Sequence, residues 1–244
     1  MKIVELENVD STNNYLKENH SFFTEITMVI AKNQTKGRGQ RGNSWESEPG
    51  KNLTFSVLFR PENFAANRQF LISELTALAI TDALRKIGIE AKVKWPNDIY
   101  VGDKKICGIL IEHSIMGSEI ERTIIGAGVN INQEKFFSDA PNPVSAFQLT
   151  GQKYDLEKLR TLISISLQER LSQLNNSKKA ADTHKEFMRN LWRGDERFYP
   201  FKDMTTHEFF DGRISGVEES GHLLLEDRSG KINRYAFKEV RFIL

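Results

Sequence analysis

The spacing of apolar residues changes several times along this chain, and each change predicts an element. "ITMVIA" at 26–31 is a continuous β-rich apolar run, the mark of a buried strand. "NLTFSVLFR" at 52–60 alternates instead. Leu53, Phe55, Val57 and Phe59 fall on one side and Thr54, Ser56 and Leu58 on the other, which predicts a second strand. From about Arg68 to Lys86, Leu71, Leu75, Leu78, Ala79 and Leu84 recur at helical spacing, and Gly88 stands where a glycine would end the helix. "AKVKW" and "DIYVGDKKICGILIE" read as strands, the second folded about a Gly102-Asp103 turn. "RTIIGAGVNIN" at 122–132 reads as one more strand running into a tight glycine turn. Helical spacing returns from about Asp155 to Leu174 and from about Ala180 to Trp192. Near the start, "VDSTNNYLKEN" predicts a turn and a short helix capped by Asp10 or Ser11.

After Arg193-Gly194 the texture shifts to short alternating runs punctuated by "DG", "SG", "ESG" and "DRSG", the pattern of a small antiparallel barrel. The expected organisation is therefore α+β. Residues 1–194 would form a mixed β-sheet with packed helices, and residues 195–244 a small β-barrel. No internal repeat or low-complexity tract interrupts this.

Composition narrows the classes. The 244 residues allow one large core, or a large and a small domain. Lys plus Arg total 34 against 33 Asp plus Glu, and a net charge of +1 argues against a surface given over to nucleic acid or anionic membrane. The single cysteine, Cys107, rules out an intrachain disulfide and suits a reducing compartment. "MKIVELENVD" carries acids where a signal peptide needs an apolar run, and no stretch approaches the ~20 apolar residues of a membrane span. A folded cytoplasmic protein is the expectation.

The chemistry lies between the strands. In "KNQTKGRGQRGNSW", Gly37, Gly39 and Gly42 let the backbone approach a ligand and turn free N–H groups toward an anion. Lys36, Arg38 and Arg41 add charge, and Trp45 offers a flat face for a base. Taken alone, this segment also suits a solvated surface loop. "KVKWPNDIYVGDKKICGIL" sets Lys94, Asn97 and Asp98 around a Trp-Pro turn, with Lys105 on the next strand. "IIGAGVNIN" has G-x-G but neither a third glycine nor a following amphipathic helix, so it is no dinucleotide fingerprint. Asn130 is the residue there able to bond a base or ribose.

The blocks are more specific together than singly. S-T-N near the start, then Q-x-x-G-R-G-x-x-G-x-x-W, K-W-P-N-D followed by K-x-x-G, and G-x-G-x-N stand in an order that resembles the biotin–protein ligases (biotin–[acetyl-CoA-carboxylase] ligases, or holocarboxylase synthetases). The resemblance covers nearly the whole chain and implies a class II synthetase-like catalytic domain with a C-terminal SH3-like barrel. It also implies a two-step reaction. Biotin and ATP give biotinyl-5′-AMP and pyrophosphate, with Mg²⁺ accompanying ATP, and the biotinyl group then passes to a lysine of a biotin carboxyl carrier protein.

By the same resemblance Ser11, Thr12, Asn13, Gln34, Gly37, Arg38, Gly39, Gln40, Lys105 and Gly108 belong to the biotin site. Arg38, Arg41, Trp45, Lys94, Asn97 and Asn130 belong to the nucleotide side, and Arg38 and Lys105 are the catalytic pair. The Gly/Arg loop would then be a lid that keeps water from a reactive mixed anhydride. Gln40 stands where many relatives carry a third cation. With S-T-N beginning at residue 11, a form without the N-terminal DNA-binding domain is expected, and so no direct DNA binding. Two rivals remain: a lipoate–protein ligase of the same fold, whose Arg-Arg-x-Ser-Gly-Gly-Gly motif is missing, and a nucleic-acid module using the Arg/Gly loop. Asp98's role, the metal ligands and the choice between monomer and homodimer stay open.

Overall fold

The computed structural model describes residues 1–138 and 140–244, apart from the side chain of Arg41. Strands β1 (Lys2–Val9) and β2 (Thr27–Gln34) run parallel, joined through helix α1 (Thr12–Asn19). Next come β3 (Leu53–Phe59), β4 (Lys92–Lys94), β5 (Asp98–Val101), β6 (Lys104–Met116) and β7 (Glu119–Val129), each antiparallel to its neighbours. The seven strands form one sheet in the order β1-β2-β3-β7-β6-β5-β4.

Helix α2 (Phe70–Lys86) covers one face of the sheet, backed by α4 (Leu156–Leu171) and α5 (Ser177–Arg189). Helix α1 lies on the other face over β3 and β7, where Leu16 joins Val29, Leu58 and Ile124 in a smaller core. With both faces covered, β3 is buried along its whole length. The alternation in its sequence separates two interiors, not inside from outside.

Local chemistry sets the helix ends. Asp155 accepts the backbone N–H groups of Glu157 and Lys158 at the start of α4, and Asn176 accepts that of Lys179 in α5. Between β7 and α4 the short helix α3 (Ala146–Thr150) is held by a reciprocal capping box of Ser145 and Gln148. Arg170 of α4 donates to Asp82 of α2 at 2.5 Å and to Glu186 of α5 at 2.7 Å, fastening the helical layer together. No helix among the described residues is long and apolar enough to cross a membrane.

Three expectations need correction. Strand β1 was not expected, because acids interrupt its apolar positions; it is an edge strand with only Val4 and Leu6 packed inward. The glycines of "IIGAGVNIN" make no turn, since Gly126 and Gly128 both lie inside β7. In the C-terminal part, β8 (Tyr199–Asp203), β9 (Phe209–Val217), β10 (Leu223–Asp227), β11 (Ile232–Tyr235) and β12 (Val240–Phe242) form an antiparallel sheet in the order β11-β10-β9-β8-β12. Asp211-Gly212 and Ser215-Gly216, read as punctuation, sit within β9, whereas Gly221 and Gly230 do turn the chain with positive φ.

This second sheet packs on the main body through aromatic rings. Trp192 meets Tyr100 at 5.2 Å and Phe242 at 5.7 Å between centroids. Trp95 donates its indole N–H to the Gly221 carbonyl at 2.9 Å.

Phe187 of α5 is fully buried, edge-on to Phe70 at 5.7 Å. Phe187→Ala should cost about 3–5 kcal/mol through lost transfer energy and an unfilled cavity. A urea midpoint equal to that of the unsubstituted chain would remove α5 from the core.

Candidate active site

The site begins with missing side chains. On the α1 face of the sheet, Gly108 of β6 pairs with Gly128 of β7, and Gly126 of β7 pairs with Ser56 of β3. A Cβ at Gly126 would run into the Asn13 side chain, and one at Gly128 into the Trp45 indole. At Gly108 it would lie 2.8 Å from the Trp45 ring and 3.3 Å from Lys105 Nζ. Over this bare floor lies a cavity of about 630 Å³, walled by the start of α1, the Gly/Arg loop and the segment before α3.

One end of the cavity is neutral and tightly bonded. Gln34 Oε1 accepts the Thr12 backbone N–H at 2.8 Å, and the Thr12 hydroxyl lies 3.1 Å from Gln34 Oε1 and 2.7 Å from Ser56 Oγ. Ser56 donates to Asn13 Oδ1, and Asn13 Nδ2 donates to Glu112 Oε2 at 2.8 Å. This chain fixes which way the Asn13 amide faces. Ser11 precedes α1 yet makes no side-chain cap bond, so its hydroxyl is left to the cavity it lines.

Cations stand beside these groups. Arg38 donates to Glu112 through both terminal nitrogens, at 3.2 and 3.0 Å, and to Asn14 at 2.9 Å. Burial alone would raise the Glu112 carboxyl, but the bonds from Asn13 and Arg38 outweigh it and hold the group below the usual range. Lys105 Nζ lies 2.7 Å from Asp98 and 5.6 Å from the centre of the Trp45 ring. Lys94 stands over Tyr100 at 5.0 Å and over Phe242 of β12 at 5.4 Å, so the C-terminal sheet reaches the site's edge. Burial pushes the Lys94 ammonium down, and Asp98 opposes the shift.

The Gly/Arg loop is a small hairpin. Arg38 bridges Ser44, the Trp45 N–H bonds the Gly37 carbonyl at 2.9 Å, and a 3-10 turn spans Gln40–Gly42. Its far end is tied to a second loop that the sequence reading passed over. Glu46 accepts the backbone N–H groups of Phe137 and Ser138, the latter at 2.7 Å, and the Gln133 amide at 3.1 Å. Burial works against ionisation of Glu46, yet these donors together hold its carboxyl below the usual range. The second loop then runs beside β6, where the Lys105 N–H bonds the Asn142 carbonyl at 2.9 Å.

Most of the expected residues meet here. Ser11, Thr12, Asn13, Gln34, Arg38, Gly39, Gln40, Trp45, Lys94, Asn97, Lys105, Gly108 and Asn130 all line the cavity. Gly37 does not; it lies behind the loop, where a Cβ would come 2.5 Å from the Trp45 carbonyl oxygen. The Arg41 side chain lies outside the described residues. Asn97 spends its amide on the Ile109 carbonyl, which stitches the Trp-Pro turn to β6. Asn130 Oδ1 and Trp45 Nε1 are buried and find no partner among the described residues. Ser56, Glu112, Ser138, Ala140, Pro141 and Pro143 were missed. A serine inside an apolar strand and a glutamate in phase with Gly108 were the available signals.

The model of the biotin/lipoate A/B protein ligase family matches residues 5–130, which hold the glycine floor, α1 and the Gly/Arg loop. The chain belongs to this family. The bifunctional ligase/repressor BirA of Salmonella typhimurium is 30% identical over 228 residues, 89% of this chain and 67% of that protein. The biotin--[acetyl-CoA-carboxylase] ligase of Paracoccus denitrificans is 30% identical over 235 residues, 93% of this chain and 95% of that one. A biotin protein ligase from Aquifex aeolicus, solved in complex with biotin and ATP, shares the fold with a TM-score of 0.81 over 99% of both chains at 24% identity. The mixed sheet with packed helices and the separate C-terminal sheet are thus the architecture of this family, and the chain is one of its ligases.

The glycine floor of this ligase can be tested directly. Gly128→Ala should push Trp45 off the strand and into water, shifting its emission to the red, while the unfolding midpoint moves little. The Trp45→Phe variant identifies that part of the signal. Unchanged Trp45 emission would mean that the indole does not need the bare strand.

Proposed function

We propose that this ligase activates biotin as biotinyl-5′-AMP and transfers the biotinyl group to a lysine of a biotin carboxyl carrier domain. The observation that carries the reading is a single cavity that brings neutral hydrogen-bonding groups and cations together. A ureido ring carries two N–H donors and a carbonyl acceptor, a match for the Ser11, Thr12, Asn13 and Gln34 groups. The valeryl chain would lie along the glycine floor with its carboxylate toward Arg38 and Lys105.

Bringing a carboxylate against a triphosphate joins two anions, and catalysis here means placing positive charge where negative charge builds. A carboxylate oxygen attacks the α-phosphorus, the bond to the β-phosphate oxygen breaks, and pyrophosphate leaves with the electron pair. Lys105 is held for this by Asp98, and Arg38 by Glu112. Both cations are therefore preorganised but committed to carboxylates, which an incoming anion can displace or share. Asn130 Oδ1, buried without a partner among the described residues, suits a donor on the adenosine, and Trp45 supplies an aromatic face at the same end.

Among the described residues no group of three His, Cys, Asp or Glu side chains could hold a metal ion. Mg²⁺ arriving with ATP would be held chiefly by phosphate oxygens, with Asp98 as the carboxylate beside the cations. It would supply neutralisation of phosphate charge.

The rival ligand is disfavoured by the neutral end. A dithiolane has neither N–H nor C=O, so lipoate would offer no partner to the Ser11 hydroxyl or the Gln34 amide nitrogen. A nucleic-acid role is disfavoured by the ion pair of Arg38 with Glu112 and by the near balance of charge along the chain.

ATP–pyrophosphate exchange measured with biotin, lipoate or octanoate tests the reading, and only biotin should stimulate it. Equal stimulation by lipoate would overturn the assignment. Lys105→Ala should slow adenylation by at least ~10²-fold, the scale for losing a preorganised charge-stabilising group. Its unfolding midpoint should hold, and near-normal adenylation would return Lys105 to an ordinary strand lysine.

A further inference from the structure

A second cavity, of about 390 Å³, lies at the seam between the main body and the C-terminal sheet. Phe70 and Ser73 of α2, Trp95-Pro96, and Ile111 and His113 of β6 form one wall. Ser220, Gly221, His222 and Phe237 of the C-terminal sheet form the other. It shares two residues, Gln40 and Asn97, with the main cavity. The topology explains the adjacency. β5 pairs with β6 only from Lys104 to Gly108, so beyond that point no strand separates the two faces of the sheet on that side. Gln40 and Asn97 stand at this gap.

The two cavities differ in charge. Among the described residues the main one is lined by three cations, Arg38, Lys94 and Lys105, and one carboxylate, Asp98. Among the described residues the second is lined by no lysine, arginine, aspartate or glutamate. His113 is bonded to the Thr123 hydroxyl at 2.9 Å, and burial pushes its imidazole down to about 4, so it is neutral at physiological pH. At the shared wall, Gln40 Oε1 is buried and finds no donor among the described residues. Phe70, Trp95, Ile111 and Phe237 supply apolar surface around it.

We infer that this second cavity is the entrance for the acceptor lysine, its methylene stem along the aromatic walls and its nitrogen delivered past Gln40 to the acyl-adenylate. The inference rests on the ligase reading above and adds the route of the second substrate. An ammonium entering through the main cavity would meet three cations against one lining carboxylate, whereas no lysine or arginine among the described residues lines this one. An apolar passage also disfavours the charged form of a lysine, and only the neutral amine carries the lone pair needed to attack. The nitrogen forms a bond to the acyl carbon, the bond from that carbon to the phosphate oxygen breaks, and AMP leaves with the electron pair. The ammonium sheds one proton before attack and one after, both to water. The C-terminal sheet thereby acquires a role: it supplies one wall of the entrance.

The test fills the cavity without disturbing the fold. Ser220 is exposed at its rim, and the lone natural thiol, Cys107, is fully buried. Ser220→Cys is assayed before and after modification with benzyl methanethiosulfonate, and again after reduction. Ser73→Cys, on the opposite wall, serves as a second position. Biotin-stimulated ATP–pyrophosphate exchange reads the first step, and transfer to a purified biotin carboxyl carrier domain reads the second. Modification should leave exchange within about twofold and lower kcat/KM for transfer by ~10-fold or more, reversibly. Unchanged transfer after complete modification at both positions overturns the inference, and so does a parallel loss of exchange. Absence of biotin-stimulated exchange in the unmodified chain would instead sink the ligase reading itself.

Discussion

Two neighbouring strands lack side chains at three positions on one face of the sheet, and the site depends on that absence. Along β6 and β7, Ile109, Ile111, Ile124 and Ile125 fill space as strand residues in a packed sheet do. Gly108, Gly126 and Gly128 fill none, and on the α1 face they leave a trough. The backbone ladder continues through it, so the trough costs packing while strand pairing is kept. Asn13 and Trp45 can sit where they do only because Cβ atoms are absent beneath them. The position of α1, the fold of the Gly/Arg hairpin and the volume available to a ligand all follow from this.

The same trough puts cations close together, which a folded chain tolerates only with compensation. Lys105 is paired with Asp98 and Arg38 with Glu112, so neither needs a ligand to be electrostatically acceptable. Lys94 is compensated less directly, by two aromatic faces and by proximity to Asp98, and burial leaves its ammonium pushed down. Half-buried ion pairs of this kind keep charge ready at fixed positions. An anionic substrate then needs to shift a carboxylate, not to gather cations from solvent.

Local pattern made much of this legible. The apolar run of β2, the alternation of β3 and the helical spacing of α2 each report their own environment, and the structure forms those elements close to the expected positions. Register is a different matter. Nothing within "IIGAGVNIN" says that Gly128 faces Gly108 across a ladder, so a strand glycine was indistinguishable from a turn glycine. The same ambiguity placed turns at Asp211-Gly212 and Ser215-Gly216, which pair within β9. Glu112 became visible only once β6 had a face, because its partners Asn13 and Arg38 lie 99 and 74 residues away. The loop before α3 has no periodicity at all; its position comes from distant parts of the chain, the Glu46 carboxylate and the backbone of Lys105.

Charge and topology meet at the short β5. A reaction that first joins two anions and then admits an amine makes opposite demands on one centre. Cations that favour the first step repel the substrate of the second. A longer β5 would carry the ladder past Gly108 and seal the sheet between its faces. The Trp95-Pro96 turn, held by Asn97 against the Ile109 backbone, ends the pairing early instead. The main cavity then lies on a cationic side of this gap and the second on a neutral, aromatic side, with Gln40 between them carrying no charge of either sign. An arginine or lysine at Gln40 would extend the cationic field into the second cavity. The neutral amide keeps the two cavities electrostatically distinct and leaves its buried Oε1 as an acceptor between them.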